Sequence, residues 1–136
     1  MRMSTRGRYG LRAMTELASR HGGPPARLRD IATCQDIPLA YLRELMTALA
    51  ARGLVRAVRG PKGGYVLTRD PGDVSALDVI EPLEGSIVLV DCTDDPTLCE
   101  RSSFCVARDL WSELTADLRA KLRATTLSAL ASRMRG

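Results

Sequence analysis

Three cysteines, Cys92, Cys99 and Cys105, are separated by six and then five residues in one short acidic stretch of the chain. Thiolates gathered at such spacing are the usual ligands of iron-sulfur clusters and soft metals, and they also serve redox chemistry. The stretch runs from Asp91 through Asp94, Asp95, Pro96, Ser102 and Ser103 to Cys105, a composition that predicts a loop able to fold around one site. Three thiols leave a fourth coordination position open. A closed structural zinc site would need a further Cys or His, and the sole histidine, His21, lies far upstream. The fourth cysteine, Cys34, is either a ligand contributed from elsewhere or a small apolar filler. No Cys-x-x-Cys occurs, which argues against zinc-ribbon and thioredoxin-like chemistry.

The thiols need a framework. With 136 residues, 45% of them hydrophobic, the chain can bury one modest core. Apolar runs such as Ile87–Val90 are too short to span a bilayer, and the basic N-terminus has no apolar segment behind it, so a cytoplasmic protein is expected. In that reducing compartment a cysteine cluster points to metal or redox chemistry more than to disulfides. Charge is divided along the chain. Residues 1–69 hold 13 Lys/Arg against 4 Asp/Glu, the remainder 7 against 12, and the whole chain carries +4. The basic half is the one expected to meet phosphates.

Periodicity places the helices. Ser4 or Thr5 can cap a first helix with Tyr9, Ala13, Met14, Leu17 and Ala18 on its inner face, ended by Gly22-Gly23-Pro24-Pro25. A second, short helix presents Leu28, Ile31 and Ala32, and after the turn Gln35-Asp36-Ile37-Pro38 a third presents Leu42, Leu45, Met46 and Leu49 up to Gly53. Helix, tight turn and helix fit a helix-turn-helix, whose second helix enters the major groove. Alternation from Leu54 to Arg59 and from Tyr65 to Thr68, joined through Gly60-Pro61-Lys62-Gly63-Gly64, predicts a basic hairpin, a wing. Arg59, Gly60 and Lys62 stand at its tip and Arg56 on its first strand. Tyr41 and Arg43 flank inward-facing residues of the third helix, which makes them candidates to reach base edges or phosphates.

Downstream, Ser75 and Asp78 form a capping-box pattern before Val79, Ile80 and Leu83. From about Val106 to Leu130 the longest helical pattern carries Leu110, Leu114, Leu118 and Leu122 at four-residue spacing, an apolar stripe to be covered partly by the chain's own helical core and partly by a second copy, which makes these four leucines the dimerisation candidates. The expected fold is therefore mainly α with a small β wing. Residues 1–84 would form the winged helix-turn-helix, 85–105 the cysteine loop, and 106–136 a dimerisation helix and tail.

The start Met1–Tyr9, Asp30-Ile31-Ala32, Tyr41-Leu42, the run Gly53–Tyr65 with its Arg-Gly-Pro-x-Gly-Gly-Tyr wing, and the cysteine region continuing into Arg108-Asp109-Leu110-Trp111 resemble the winged-helix iron-sulfur regulators of the IscR and NsrR type. The resemblance covers nearly the whole chain. It implies a homodimeric transcription factor whose long C-terminal helices pair, whose wings enter minor grooves of double-stranded DNA, and whose affinity responds to a 2Fe-2S or 4Fe-4S cluster on Cys92, Cys99 and Cys105. The chain departs from both subtypes at the fourth ligand: Arg108 replaces the histidine of one, Arg8 the carboxylate of the other. Asp91, Asp94, Glu100, Cys34 or a small molecule remain alternatives. Arg43, Pro38 and Ala40 differ from the family's usual operator-contacting residues. A second reading is a cluster-free regulator of the same fold that responds to thiol oxidation or to a partner protein. An enzyme is not expected, because no nucleophile-base set or phosphate loop is discernible.

Overall fold

The computed structural model describes residues 2–90, 95, 97 and 105–134. Helices α1 (Thr5–Ser19), α2 (Leu28–Gln35) and α3 (Leu39–Ala51) are followed by strands β1 (Val55–Val58) and β2 (Gly64–Leu67), a 3-10 turn (Pro71–Asp73), α4 (Ala76–Glu84), α5 (Val106–Ala124) and α6 (Leu127–Ala131). This is a winged helix-turn-helix followed by a long C-terminal helix.

The predicted punctuation recurs in the backbone. Ser4 caps α1 by accepting from Gly7 N, and Ser75 with Asp78 closes a reciprocal capping box on α4. Between α2 and α3 the chain turns at Asp36, which adopts a left-handed conformation (φ 52°), and Ile37 N–H donates to Ala32 O at 2.9 Å. Met14, Ile31, Leu42, Leu45, Met46 and Leu49 are all fully buried in one core that unites the three helices. Burial of that apolar surface is the main force holding α3 against α1 and α2.

The wing is antiparallel, with Val55 opposite Leu67 and Val58 opposite Gly64. It gains a third partner. Ala26, just ahead of α2, forms an isolated bridge with Tyr65, each donating to the other's carbonyl at 2.9 and 2.7 Å. Gly64 permits this approach, since a Cβ there would run into the Ala26 carbonyl.

The helix expected from Val106 to Leu130 is two helices. It stops at Ala124, because Thr125 and Thr126 turn to extended backbone: Ala76 N–H donates to Thr125 O and Leu127 N–H to Val74 O, at 2.7 and 2.9 Å. Thr126 then caps α6 through Ala129 N. Helix α6 returns to α1 and buries Leu127 completely in the core of the first three helices. Residues 125–131 are therefore an integral part of the head. Ile87 likewise packs with Ala76, Leu77 and Ile80, so residues following α4 begin inside a second small core.

Candidate nucleic-acid interface and cysteine segment

Helix α3 and the wing face each other across a groove of about 390 Å³ whose walls include Leu39, Arg43, Arg27, Arg29, Gly60 and Tyr65. Arg43, Arg59 and Lys62 are exposed, and the ion pairs among the described residues are Arg20–Glu16 and Arg119–Glu81, so none of these three is neutralised by one. Gly60 holds φ 107° at the wing turn, where a side chain would be strained. A concave, uncompensated basic surface between a helix and a hairpin can hold a polyanion.

Arg27 was not among the residues expected at this surface. It is the N-cap residue of α2, and its Nη2 donates to the Pro61 carbonyl at 3.0 Å. The start of the helix-turn-helix and the tip of the wing are thus tied twice, by Arg27–Pro61 and by Ala26–Tyr65. The sequence signal was a cation ahead of α2, but its use depends on a pairing between distant segments.

Tyr41 and Arg43 do not share a face. Two residues apart, they lie about 200° apart around the helix axis. Arg43 lines the groove, whereas the Tyr41 ring packs edge-on to Tyr9, with centroids 5.9 Å apart and planes at 84°. Arg12 and Arg8 stack over the same Tyr9 ring at 5.0 and 5.9 Å. Tyr41 accordingly has a packing partner in α1 and is not a wall of the groove. Arg56 is exposed but lines a separate cleft with Arg20 and His21.

A polar network lies behind α2. Glu16 is almost fully buried and accepts from Gln35 Nε2 and Arg20 Nε, both at 3.1 Å, and from Ser19 Oγ at 3.2 Å. Burial alone would push its carboxyl up, but the hydrogen bonds from Gln35 and Arg20, the Arg20 charge and the Ser19 hydroxyl outweigh it and hold the pKa below the ordinary value. Arg20 Nη2 also reaches the exposed Cys34 Sγ at 3.4 Å.

Of the three clustered cysteines, Cys92 and Cys99 lie outside the described residues. Cys105 is the N-cap residue of α5, a free and half-buried thiol that makes no capping hydrogen bond. It is therefore available as a ligand. Among the described residues no group of three His, Cys, Asp or Glu side chains forms a metal site. Arg108 follows one turn later, its N–H donating to Cys105 O at 3.2 Å.

The leucine stripe divides. Leu118 and Leu122 pack on the protein's own cluster of Ala76, Leu77, Ile80 and Ile87. Leu110 and Leu114 stay 48% and 40% exposed, and Val106 at the helix start 85%. Among the described residues no helix is long and apolar enough to cross a membrane.

Comparison with known proteins agrees with this architecture. Residues 3–133 match the Rrf2 family model, described as an iron-dependent transcriptional regulator. The HTH-type transcriptional regulator CymR of Bacillus subtilis is 39% identical over 132 residues, 97% of this chain and 91% of the relative. The HTH-type transcriptional regulator IscR of Cronobacter sakazakii is 35% identical over 130 residues, 96% of this chain and 80% of the relative. The solved structure of CymR, the global cysteine regulator of B. subtilis, superposes with a TM-score of 0.84 at 38% identity, covering 99% of both chains.

Proposed function

The chain belongs to the Rrf2 family of transcriptional regulators, and from that premise we propose that it binds operator DNA as a homodimer under the control of an iron-sulfur cluster on Cys92, Cys99 and Cys105. The observation that carries the DNA half is the groove between α3 and the wing, rimmed by Arg27, Arg29 and Arg43. Arg59 and Lys62 stand exposed on the wing beside it. In this reading Arg43 approaches base edges, Arg59 enters a minor groove beside Gly60, and Lys62 and Arg56 contact phosphates. Residues 1–84 supply the head together with α6, 85–105 the sensor, and the exposed Leu110 and Leu114 of α5 the seam between two copies. The work is done in the cytoplasm.

Support for the cluster comes from the number and spacing of the cysteines, the uncommitted thiol of Cys105, and the likeness to IscR. Bound there, a cluster would supply a redox-active group whose oxidation or loss changes the charge held by the three cysteines. The residues at the family's fourth-ligand positions, Arg108 and Arg8, cannot coordinate iron as guanidinium groups. The fourth ligand would then be a carboxylate such as Asp91, Asp94 or Glu100, a small molecule from solution, or Cys34.

A second reading is a regulator of the same fold that carries no cluster and responds to thiol oxidation or a partner protein. The likeness to CymR favours it, as does the exposed thiol of Cys34 beside Arg20. Anaerobic purification followed by iron and sulfide assay separates the two. The proposal expects a coloured protein containing both elements, whose affinity for a selected duplex changes when the cluster is removed. A colourless protein with the same DNA affinity before and after anaerobic reconstitution would favour the second reading.

A further inference from the structure

The leading end of α3 is unusual for a surface meant to read DNA. Pro38, Leu39 and Ala40 are all exposed, Leu39 at 38%, and none of their side chains can donate or accept a hydrogen bond. Leu39 is not part of the core packing. It lines the groove beside Arg43, one helical turn further on, and opposite the wing. Tyr41, the first residue of the helix with a polar side chain, is turned toward Tyr9. Arg43 and Glu44 are then the first exposed polar side chains.

A lone exposed leucine needs no explanation, but three consecutive side chains without hydrogen-bonding capacity at this place do. The N-terminal residues of a recognition helix are the ones that approach base edges. In the major groove the only apolar feature of any base edge is the C5-methyl group of thymine. The surrounding arginines of α2, α3 and the wing bring a nucleic acid to the groove and leave this small apolar patch facing its floor.

Resting on the DNA-binding reading above, we propose that the Pro38-Leu39-Ala40 edge of α3, through Leu39 above all, reads thymine methyl groups in the operator. It is a specificity determinant that acts by apolar contact. Arg43 supplies the hydrogen bonds to a neighbouring base pair and the basic rim supplies attraction without sequence preference.

The test uses the full-length protein and a synthetic duplex carrying the sequence that emerges from binding-site selection. Each thymine is replaced in turn by deoxyuridine, which removes only the methyl group and leaves base pairing and groove hydrogen bonds intact. For the parent protein at least one replacement should weaken binding about fourfold, the effect of one buried methyl. Leu39→Ala should bind the unmodified duplex that much more weakly and be indifferent to the same replacement. Leu39→Met should retain most of the discrimination. Thermal unfolding would confirm that Leu39→Ala remains folded, as its exposure predicts. If no deoxyuridine matters, or if Leu39→Ala responds to it as the parent does, the methyl-reading role is overturned. If selection yields no preferred sequence at all, the DNA-binding reading falls with it.

Discussion

The carboxylate of Glu84, the last residue of α4, accepts from the backbone N–H of Ser4 at 2.9 Å and seals the start of α1; Gly7 N–H donates to the same oxygen at 3.2 Å. Arg6 Nε adds a bond to the Leu83 carbonyl at 3.4 Å. The end of α4, where the cysteine segment departs, is thereby joined to the helix that carries Tyr9 and, through it, Tyr41 of α3.

This junction has no spare room. A Cβ on Gly10 would collide with the buried Leu83 side chain, so Gly10→Ala should destabilise the fold by about 1–3 kcal/mol through overpacking. Alanine's better helix propensity, about 1 kcal/mol, acts in the opposite direction and should lose. Glu84→Ala, which removes the acceptor of Ser4 N–H and leaves Ser4 Oγ as the one remaining cap for Gly7 N–H, should cost about 1 kcal/mol. Urea unfolding measures both, and a stabilised Gly10→Ala would show that α1 and α4 do not approach so closely.

At the wing, Arg59→Ala should weaken specific binding by about 1–3 kcal/mol, because an arginine in a narrow minor groove contributes through shape as well as charge. Lys62→Ala should affect all duplexes nearly alike and reduce the dependence of log affinity on log salt by about one. Arg27→Ala releases the Pro61 carbonyl and loosens the wing tip. It should therefore reduce the preference for the selected sequence over random duplex. Titrations at several salt concentrations against both duplexes distinguish the three. Unchanged operator affinity for Arg59→Ala would remove the wing tip from recognition.

The helices of the head were legible because Met14, Leu17, Leu42, Leu45, Met46 and Leu49 repeat at helical spacing and are the residues that meet in the core. The wing was legible from its glycines. The break at Thr125–Thr126 was not, since the leucine pattern runs on to Leu130 and the interruption is set by a bridge to Ser75 far away in sequence. Periodicity shows that the stripe on α5 needs cover from the chain's own core and a second copy, but it cannot say which of the two covers Leu118 and Leu122. The contact between Tyr41 and Tyr9 is not legible from the place of Tyr41 beside Leu42, because its aromatic partner sits in another helix. Arg27 and Glu84 were silent for the same reason, each acting across a contact between segments far apart in the chain.

Glu16 makes stability depend on acid pH. Its carboxyl titrates below the 4.5 of an unperturbed glutamate when the protein is folded, so the unfolded chain takes up the proton first as pH falls. The stabilisation is fully present above that value and is lost as pH falls through the depressed folded pKa. Glu16→Gln should lower stability by about 1–3 kcal/mol at neutral pH. The difference between parent and variant should shrink as pH drops below 4.5. Denaturant melts from neutral to acid pH would show it, and a difference independent of pH would mean that Glu16 acts by packing alone.

The two halves of the leucine stripe should separate by experiment. Replacing Leu110 and Leu114 together by alanine removes exposed apolar surface that the fold itself does not use. Sedimentation equilibrium should then show dissociation toward monomer with little change in the unfolding of the monomer. Leu118→Ala and Leu122→Ala strip cover from the protein's own cluster and should each cost about 1–3 kcal/mol of stability. If Leu110 and Leu114 can be replaced without any change in mass distribution, the seam lies elsewhere.

The cysteines offer the most direct division of roles. Cys105 caps α5 without a side-chain hydrogen bond, so Cys105→Ser should leave the helix intact while removing a ligand of the proposed cluster. The same loss of visible absorption is expected of Cys92→Ser and Cys99→Ser after anaerobic reconstitution. Cys34 has different surroundings: its sulfur meets the Arg20 guanidinium, which is already paired with Glu16 behind α2. Cys34→Ser should therefore keep the cluster and its spectrum, with serine's hydroxyl replacing sulfur as acceptor from Arg20. Should Cys34→Ser lose the cluster while remaining folded and dimeric, the site would contain four cysteines and reach across two subunits, since Cys34 lies on the exposed end of α2. Retention of the full spectrum in any of the other three variants would remove that residue from the ligand set.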